Sequence, residues 1–381
     1  MLRSYKYRLY PNRAQRALLD RVLEIHRTVY NDALTERSLA WKRCQTSIGY
    51  YDQANQLKAI RAFDEDAAWC NYSSLQQTLR RLDKAFRAFF RRVKAGEKAG
   101  YPRYKGRGWW KSVRYVYGDG LRLRDGRLYV QRIGSIRMFQ HRPIPDDARI
   151  KQAVLKRDRV GNWFVVFALE LPDPNVVQEE ASAVGIDVGL MSFAALSDGR
   201  VIENPRWFRT SEEQLATLQR RRARCTRGSR KYRELTRQIR RLHERVANRR
   251  RDFQHKVSAE IVQRYGFIAV EELNIRGLAR SHVSKSIGDA GWGQFLDFVS
   301  YKAEKAGRAF VRVSPNGTSQ DCSGCGCRVE KTLDVRVHAC PHCGLTVDRD
   351  VNAALNVLAR GRRATAKCSE ASASVGGSSL L

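Results

Sequence analysis

The sequence has no long hydrophobic run, and it opens without a hydrophobic leader. No apolar stretch reaches the roughly 18 residues that a membrane-spanning helix needs, and the first residues lack the pattern of a signal peptide. We therefore expect no membrane partner. The expected location is the reducing cytoplasm, in association with the nucleoid.

Acidic residues are scarce relative to basic ones. The 381 residues include 71 Lys and Arg but only 39 Asp and Glu, so the formal net charge is +32. Solubility alone requires far less charge, and a polyanion is the expected partner. An anionic membrane surface is the alternative, but a nucleic acid is favoured. The hydrophobic fraction of 43% indicates two or three folded domains in a chain of this length.

The cysteines do not follow the pattern of a disulfide framework. Of the nine, four are scattered along the chain and five fall in one short segment: Cys322, Cys325, Cys327, Cys340 and Cys343. An odd number of cysteines without an export signal favours metal binding over disulfides.

Two Cys-x2-Cys pairs lie in that segment, and 14 residues separate Cys322 and Cys325 from Cys340 and Cys343. Such pairs form tight turns whose thiolates converge on one tetrahedral Zn²⁺ ion. The alternatives are a group of free thiols, or a site in which one ligand is replaced by Cys327, His338 or His342. Because a closed four-cysteine site leaves no position for a substrate, its predicted role is structural or a grip on DNA.

Residues 1–180 are predicted to form a sheet domain with helices inserted into it. Residues 4–10 alternate large apolar and basic side chains, which predicts a strand. Apolar residues at helical spacing follow as far as Lys98, and short alternating runs between glycine turns then predict antiparallel strands to Pro172. We predict a β-barrel wedge domain from residues 1–10 and 101–180, with a helical recognition domain at 11–100.

The remainder of the chain is predicted to form an α/β domain from residues 181–317 and 346–362. A zinc ribbon at 318–345 interrupts it, and a disordered tail follows at 363–381. Residues 220–256, a predicted helical hairpin broken near Gly228, hold 16 Lys or Arg and three acids. This imbalance favours a phosphate-binding surface over a merely solvated helix. The candidates for contact with a nucleic-acid backbone are Arg240, Arg241 and Arg249.

Carboxylates at the ends of predicted elements form a second candidate site. Asp187 lies in an apolar strand, where a lone charge needs a cation, and Glu271 closes another apolar strand while Glu272 points to the opposite face. Asp348 and Asp350 flank the start of the last helix, where either could instead cap the helix. For each acid taken singly, a structural role is favoured over a catalytic one. Three acids at neighbouring ends in a basic protein indicate a two-metal phosphodiester site that holds Mg²⁺.

Seven stretches of the chain form a pattern that is specific in combination. They are residues 7–12 (YRLYPN), 185–189 (GIDVG), 248–258 (NRRRDFQHKVS), 270–273 (VEEL), 289–293 (DAGWG), 318–320 (TSQ) and 348–356 (DRDVNAALN). Together they resemble the transposon-encoded TnpB family, the OrfB-type proteins related to type V CRISPR effectors. The resemblance implies a prokaryotic RNA-guided DNA endonuclease that cleaves DNA complementary to its guide RNA next to a short motif.

The resemblance also implies a fold and a set of site residues. The fold is α+β and multidomain, with a RuvC/RNase H-like nuclease domain interrupted by the zinc ribbon. The implied catalytic acids, which would hold two Mg²⁺ ions, are Asp187, Glu271 and Asp350, not Asp348. The implied Zn²⁺ ligands are Cys322, Cys325, Cys340 and Cys343, and Asn352 would support the site from behind its ligands. The implied partners are a structured guide RNA and double-stranded target DNA, bound by a monomer with one RNA.

The motif beside the target must be read by side chains on a rigid element. Gln76 is the first candidate, because it lies on a predicted basic helix, can form two hydrogen bonds to adenine, and falls in a region that the family uses for this purpose. Tyr51 and Tyr72 are further candidates. The alternative for Gln76 is an ordinary solvated glutamine.

One residue departs from the family pattern, and two other functions remain open. Glu272 stands where the family often has Asp, so the neighbour of Glu271 is one methylene longer. Because nuclease-inactive relatives lose one or more of the acids, an RNA-guided DNA-binding repressor is the first alternative. The second is an actin-like or hexokinase-like phosphotransferase, since a Gly-x-Asp-x-Gly strand also opens those folds. The zinc ribbon and the net charge oppose the second alternative.

Overall fold

The computed structural model describes residues 1–173, 182–278, 284–332 and 335–375. The chain divides into two compact units, Met1–Pro172 and Asp173–Leu381, close to the boundary at residue 180 that the sequence predicted. Residues 174–181, which include most of the predicted linker, lie outside the described part. Among the described residues, no helix is long and apolar enough to cross a membrane.

The first unit contains an antiparallel sheet in the order β2-β6-β7-β1-β5-β4-β3. Its strands are β1 (Leu2–Tyr10), β2 (Ser112–Val116), β3 (Leu121–Arg124), β4 (Arg127–Val130), β5 (Gly134–Phe139), β6 (Arg149–Arg157) and β7 (Trp163–Glu170). The first strand pairs with β5 and β7, so the predicted pairing of residues 4–10 with the later strands is confirmed. Tyr5, Tyr7 and Leu9 are buried in the core, whereas Lys6 is exposed and Arg8 is partly buried on the opposite face of the strand.

Four helices separate β1 from β2, as the sequence predicted. They are α1 (Arg13–Cys44), α2 (Tyr50–Phe63), α3 (Glu65–Trp69) and α4 (Tyr72–Lys94). At the start of α1 the Asn12 side chain accepts a hydrogen bond from the Gln15 backbone N–H at 2.8 Å, and the Gln15 side-chain oxygen accepts one from the Asn12 backbone N–H at 3.1 Å. The predicted apolar face of α4 is buried through Leu75, Leu79 and Leu82.

The second unit contains a five-stranded sheet in the order β10-β9-β8-β11-β12. Its strands are β8 (Ala183–Asp187), β9 (Ser192–Leu196), β10 (Val201–Glu203), β11 (Phe267–Glu271) and β12 (Ala309–Val313). The first three form an antiparallel meander, whereas β11 runs parallel to both β8 and β12. The apolar runs in β8 and β11 are buried on both faces of the sheet, which is typical of parallel strands.

The helices of this unit include the predicted basic hairpin. They are α5 (Glu212–Ala223), α6 (Arg230–Arg264), α7 (Ile275–Leu278), α8 (Ser284–Ala290), α9 (Trp292–Lys305) and α10 (Arg349–Val375). The Ser229 side chain caps α6 by accepting a hydrogen bond from the Tyr232 N–H. Leu215 of α5 packs against Ile239 and Leu242 of α6, so the predicted break near Gly228 is confirmed.

The last helix continues past the predicted end of the ordered chain. Disorder was expected from residue 363, but α10 extends to Val375. Residues 363–375 contain no Gly or Pro and several Ala residues, a composition that lets a helix already formed at 349–362 propagate. Residues 376–381, the rest of the predicted tail, lie outside the described part.

Two glycines let α10 lie directly on the sheet. A Cβ at Gly185 in β8 would lie 2.0 Å from the Ala354 carbonyl oxygen, and a Cβ at Gly361 would lie 2.6 Å from the Ala269 Cβ in β11. Because side chains at these points would keep the helix away, glycine is required for the close approach. The packing sets the position of the helix relative to the ends of β8 and β11.

Candidate functional site

Asp187 and Glu271 lie side by side at one edge of the second sheet. In the parallel pairing of β8 with β11, Ile186 is opposite Val270, so each acid is the next residue on its strand. Neighbouring strands are about 4.8 Å apart, and the two carboxyl groups therefore emerge at the same edge. Glu271 is buried, whereas the adjacent Glu272 is exposed, which agrees with the prediction that the two side chains point to opposite faces.

The close packing of α10 on β8 brings the third acid to the same edge. Asp350 is one helical turn before Ala354, a rise of about 6 Å, and Asp187 is two residues after Gly185, about 6.6 Å along the strand. Asp350 at the start of α10 and Asp187 at the end of β8 therefore lie at the same height along the strand direction. A Cβ at Gly189, just beyond β8, would lie 3.8 Å from Asp350 Oδ2. The structure thus brings together the three acids that the sequence singled out.

The electrostatics of this cluster favour a cation. Burial, together with the nearby charges of Glu271 and Asp350, raises the pKa of Asp187 to about 8. Burial also raises the pKa of Glu271, against the opposing effect of a hydrogen bond from Thr318. Carboxylate oxygens are the ligands that Mg²⁺ prefers, so the donor set fits a magnesium site.

Asp350 is paired with two arginines that the sequence had not singled out. Arg336 Nη2 lies 2.6 Å from Asp350 Oδ2, and Arg349 Nε lies 3.3 Å from Asp350 Oδ1. Arg336 belongs to the cysteine-rich segment, so that segment contributes a side chain to the acid cluster. A metal ion at the cluster would compete with Arg336 for the same carboxylate oxygen.

Asp348 and Asp350 have different roles in the structure. Asp348 is exposed, and its Oδ1 accepts hydrogen bonds from the backbone N–H groups of Asp350 at 2.8 Å and Val351 at 3.2 Å. It is therefore the N-cap of α10. Asp350 is buried and lies beside Asp187, so the capping role that the sequence left open for either acid belongs to Asp348.

Asn352 is hydrogen-bonded to the first cysteine turn. Its side chain donates to the Asp321 carbonyl oxygen at 2.8 Å and accepts from the Ser323 N–H at 3.0 Å. The residue between these two partners is Cys322. Asn352 therefore joins α10 to the first cysteine turn.

The four cysteines of the two pairs converge on one point. The Sγ atoms of Cys322, Cys325, Cys340 and Cys343 all lie within 4.8 Å of one another. The two turns share one backbone pattern: the Gly326 N–H donates to the Cys322 carbonyl at 2.9 Å, and the Gly344 N–H donates to the Cys340 carbonyl at 3.0 Å. Gly326 and Gly344 have φ values of 79° and 75°, which favour glycine at both places. Soft thiolates in this arrangement fit a tetrahedral Zn²⁺ ion.

The alternative ligands lie outside that group in the described part of the chain. Cys327 is exposed, and its backbone carbonyl accepts a hydrogen bond from the Cys322 N–H. His338 is fully buried on β13 (Val337–Ala339), and its Nδ1 contacts the Lys331 ammonium. His342 is exposed. A second short strand, β14 (Thr346–Asp348), pairs with β13 and leads into α10.

The predicted contacts to nucleic acid lie on helix surfaces. Arg240, Arg241 and Arg249 are exposed along α6, and the Arg249 guanidinium also lies 5.7 Å from the Trp207 ring centre. In the first unit, Gln76 is partly buried on α4. Tyr51 is 76% exposed on α2.

Tyr72, at the start of α4, has the guanidinium of Arg61 5.3 Å from its ring centre.

A cleft near Gln76 had no counterpart in the sequence analysis. It has a volume of about 300 Å³, and its cationic lining residues are Arg80, Arg81, Lys84 and Arg114. Cations from a helix and a strand meet there without a carboxylate among the lining residues. This arrangement fits a phosphate group. The cleft could not be predicted from local sequence patterns, because tertiary packing brings its lining residues together.

Models of known families match three parts of the chain. The OrfB model, described as Probable transposase, matches residues 166–282, and a Cas12f1-like TNB domain matches residues 292–357. A model described as a helix-turn-helix domain matches residues 1–46. In the structure that stretch consists of β1 and the long helix α1.

Similar proteins extend over nearly the whole chain. A relative from Streptomyces pristinaespiralis with the provisional name RNA-guided DNA endonuclease is 35% identical, over 96% of this chain and 90% of the relative. The similarly named InsQ of Escherichia coli is 30% identical over 97% of this chain and 94% of its own length.

Relatives in the CRISPR systems are more distant. The endodeoxyribonuclease Cas12f1 of Sulfoacidibacillus thermotolerans is 27% identical over 54% of this chain and 51% of its own length. A solved structure of a Cas12f1–guide RNA–target DNA complex superposes with a TM-score of 0.56 at 15% identity, over 90% of this chain and 82% of that one. That likeness concerns the fold alone. Because two relatives at 30% identity or more align over at least 90% of their own length, the chain belongs to the TnpB family of OrfB-type transposon proteins.

Proposed function

We propose that this protein is an RNA-guided DNA endonuclease that cleaves DNA complementary to its guide RNA, next to a short motif, by two-metal hydrolysis. The observation that carries the proposal is the meeting of Asp187, Glu271 and Asp350 at one edge of a sheet. Burial and mutual repulsion raise the pKa of Asp187 to about 8. Such a cluster is costly unless it binds a cation.

The three acids would hold the Mg²⁺ ions through their carboxylate oxygens. When bound, the ions supply activation of the attacking water and stabilisation of the leaving oxygen. The chain supplies the geometry, since the strand ends of β8 and β11 and the capped start of α10 are all rigid. The strand order, with a meander of three strands followed by two parallel ones, supports assignment of this unit to the RuvC/RNase H-like nucleases.

The four cysteines would hold one Zn²⁺ ion in a closed shell. With all four positions taken by thiolates, the ion would have no place for substrate, and its role would be structural. The hydrogen bonds of Asn352 to both neighbours of Cys322 support this role, because they connect the ribbon to the helix that carries Asp350.

The net charge of +32 supports a structured guide RNA as partner in addition to duplex target DNA. The exposed arginines of α6 would contact the nucleic-acid backbone. In the first unit, the seven-stranded sheet with its inserted helices would read the motif in the duplex, with Gln76 on α4 as the first candidate. The cationic cleft at Arg81 and Arg114 would bind a phosphate of the same duplex. We propose that one chain acts with one RNA.

The two alternatives differ in the site that they require. A guided repressor without cleavage would lack part of the acid set, whereas here all three acids are present and adjacent. A phosphotransferase would turn over ATP without nucleic acid and would have no need for a cysteine ribbon or for a basic surface of this extent. The observed acids and charges therefore favour the endonuclease.

The proposal is tested by the dependence of cleavage on RNA. A discrete RNA should copurify with the protein, and sequencing it should identify the target that the protein cleaves. Nuclease-treated protein should be inactive until that RNA is restored. Equal cleavage of matched DNA without RNA would contradict the guided function.

The same experiment can examine the basic helix. Replacing Arg240 and Arg241 with Gln should weaken RNA binding. It should also reduce the steepness with which the logarithm of the binding constant falls with the logarithm of the salt concentration, by up to about 0.7 to 0.9 per lost phosphate contact. Lys151→Gln is the matched control, because Lys151 is already paired with Glu170 at 2.7 Å. An unchanged salt slope in the double variant would exclude these arginines from the interface.

A further inference from the structure

The chain between β12 and the first cysteine turn, residues 314–321, lies along one face of α10, and we call it the strap. Asn352, Asn356 and Arg360 follow one another at four-residue spacing on that helix. Asn356 donates to the carbonyl oxygens of Thr318 at 2.9 Å and Asp321 at 2.7 Å. Arg360 donates to the carbonyls of residues 314 and 316 and pairs with the Asp321 carboxylate at 2.8 Å. The strap is therefore held at both ends by the helix that carries Asp350.

Thr318 connects the strap to the acid cluster. Its side chain is buried, and its hydroxyl oxygen lies 2.6 Å from Glu271 Oε1 and 3.0 Å from the Pro315 carbonyl oxygen. A hydroxyl has one proton to donate, and a carboxylate is the stronger acceptor. The hydrogen bond to Glu271 therefore dominates, and it occupies Oε1.

We propose that Thr318 is a positioning residue that fixes the orientation of Glu271 and leaves its second oxygen, Oε2, to bind the metal ion. This inference rests on the proposed function, because it assumes a metal at the acid cluster. Glu271 ends a strand and has three rotatable side-chain bonds, so its backbone alone does not determine where the carboxylate points. Outer hydrogen bonds of this kind orient metal-binding carboxylates and commonly affect metal affinity 10- to 100-fold.

A purely structural role for Thr318 predicts a different result. If the hydroxyl only satisfied a buried carboxylate, its removal would lower the stability of the fold without changing metal affinity in the protein that remains folded. If it orients the carboxylate, metal affinity falls even where the fold and the ribbon are intact. Metal binding and stability must therefore be measured on the same variants.

The test uses the full-length chain with Thr318→Val, which keeps the shape of the side chain and removes the hydroxyl, and with Thr318→Ser, which restores the hydroxyl. Thr236→Val is the matched control, because the Thr236 hydroxyl donates to the Tyr232 carbonyl of its own helix at 2.8 Å. Binding of Mn²⁺ is measured by electron paramagnetic resonance of the free ion. The Mn²⁺ binding of the Asp187→Ala variant is subtracted from that of each other protein, which removes the contribution of ions bound outside the acid cluster. Zinc content and melting temperature are recorded for every variant.

We expect Thr318→Val to weaken Mn²⁺ binding at least about 10-fold while zinc content stays unchanged, and we expect Thr318→Ser and Thr236→Val to bind as the wild type does. Thr318→Val with wild-type Mn²⁺ affinity would overturn the inference, as would failure of Thr318→Ser to restore binding. If the wild type and Asp187→Ala bound equal amounts of Mn²⁺, the acid cluster would not be a metal site, and the proposed function would fail with it.

Discussion

Asp187 shows how a single residue can be unfavourable for the fold and required for the site. Its carboxyl lies at the end of an apolar strand beside two other acids, and these surroundings raise its pKa from 3.8 to about 8. A folded-state pKa above the unfolded value favours folding below about pH 4, and this stabilisation is lost as the pH rises towards 8. The residue therefore destabilises the metal-free protein at neutral and alkaline pH, and a bound cation should reverse the effect.

The raised pKa of Asp187 predicts how pH affects the stability of the Asp187→Asn variant when a chelator has removed divalent metal ions. The gain in melting temperature over the wild type should be larger at pH 8.5 than at pH 5, by at least about 2–4 °C, the shift that corresponds to 1 kcal/mol in a domain of this size. Addition of Mg²⁺ at pH 8.5 should stabilise the wild type but not the variant. Asp252→Asn, which alters an exposed acid on α6, is the control. An equal difference in melting temperature at both pH values would contradict the electrostatic account of the cluster.

Individual residues also show what sequence reasoning can and cannot reach. Asp187 and Glu271 stood out because charged residues in apolar strands are rare, and the cysteines stood out by their spacing. Asp348 and Asp350 could not be separated by composition, since both suit a helix start, and the resemblance decided between them. Thr318, Arg336 and Arg349 acquire their roles from contacts between segments that are distant in the chain. Local patterns carry no information about such contacts.

At the scale of elements, the position of α10 on the sheet decides whether the three acids meet. The contact depends on Gly185, where a Cβ would lie 2.0 Å from the Ala354 carbonyl oxygen. A backbone carbonyl cannot move aside as a flexible side chain can, so the helix as a whole would have to shift. Such a shift would carry Asp350 away from Asp187.

Gly185→Ala should therefore lower both stability and cleavage. We expect a loss of at least about 3 kcal/mol in the free energy of unfolding, at the upper end of overpacking effects, measured by urea denaturation. Gly288→Ala is the matched control, because a Cβ there has no neighbouring atom within 4 Å and Ala favours a helix by about 1 kcal/mol. Wild-type stability and cleavage in Gly185→Ala would show that the close packing does not position the site.

The elements themselves were largely predictable. The strands β8, β11 and β12 have short apolar runs, and the helices α4 and α6 have clear apolar faces, so local patterns identified them. The end of α10 was predicted wrongly, because a composition rich in Ala and Ser suggests disorder when read alone, but it also permits extension of a helix that is already anchored. The extra length of α10 has no effect on the position of the acids at its other end.

At the scale of the whole molecule, affinity and chemistry reside in different features. The charge of +32 and the exposed arginines would provide binding to nucleic acids, whereas the guide RNA would provide target choice by base pairing. Hydrolysis would depend on the three carboxylates and on the Mg²⁺ ions that they would hold. Binding and cleavage should therefore be separable by substitutions that hardly change the size or shape of the side chains.

The most direct measurement compares Asp187→Asn, Glu271→Gln, Asp350→Asn and Asp348→Asn for cleavage of a matched target and for guided DNA binding. Asp348→Asn is an internal control, because Asn caps a helix as well as Asp does and the acid lies outside the cluster. Our account predicts that each of the first three variants loses cleavage and retains binding, while Asp348→Asn retains both. Strong cleavage by any of the first three variants, or a loss of cleavage confined to Asp348→Asn, would contradict it.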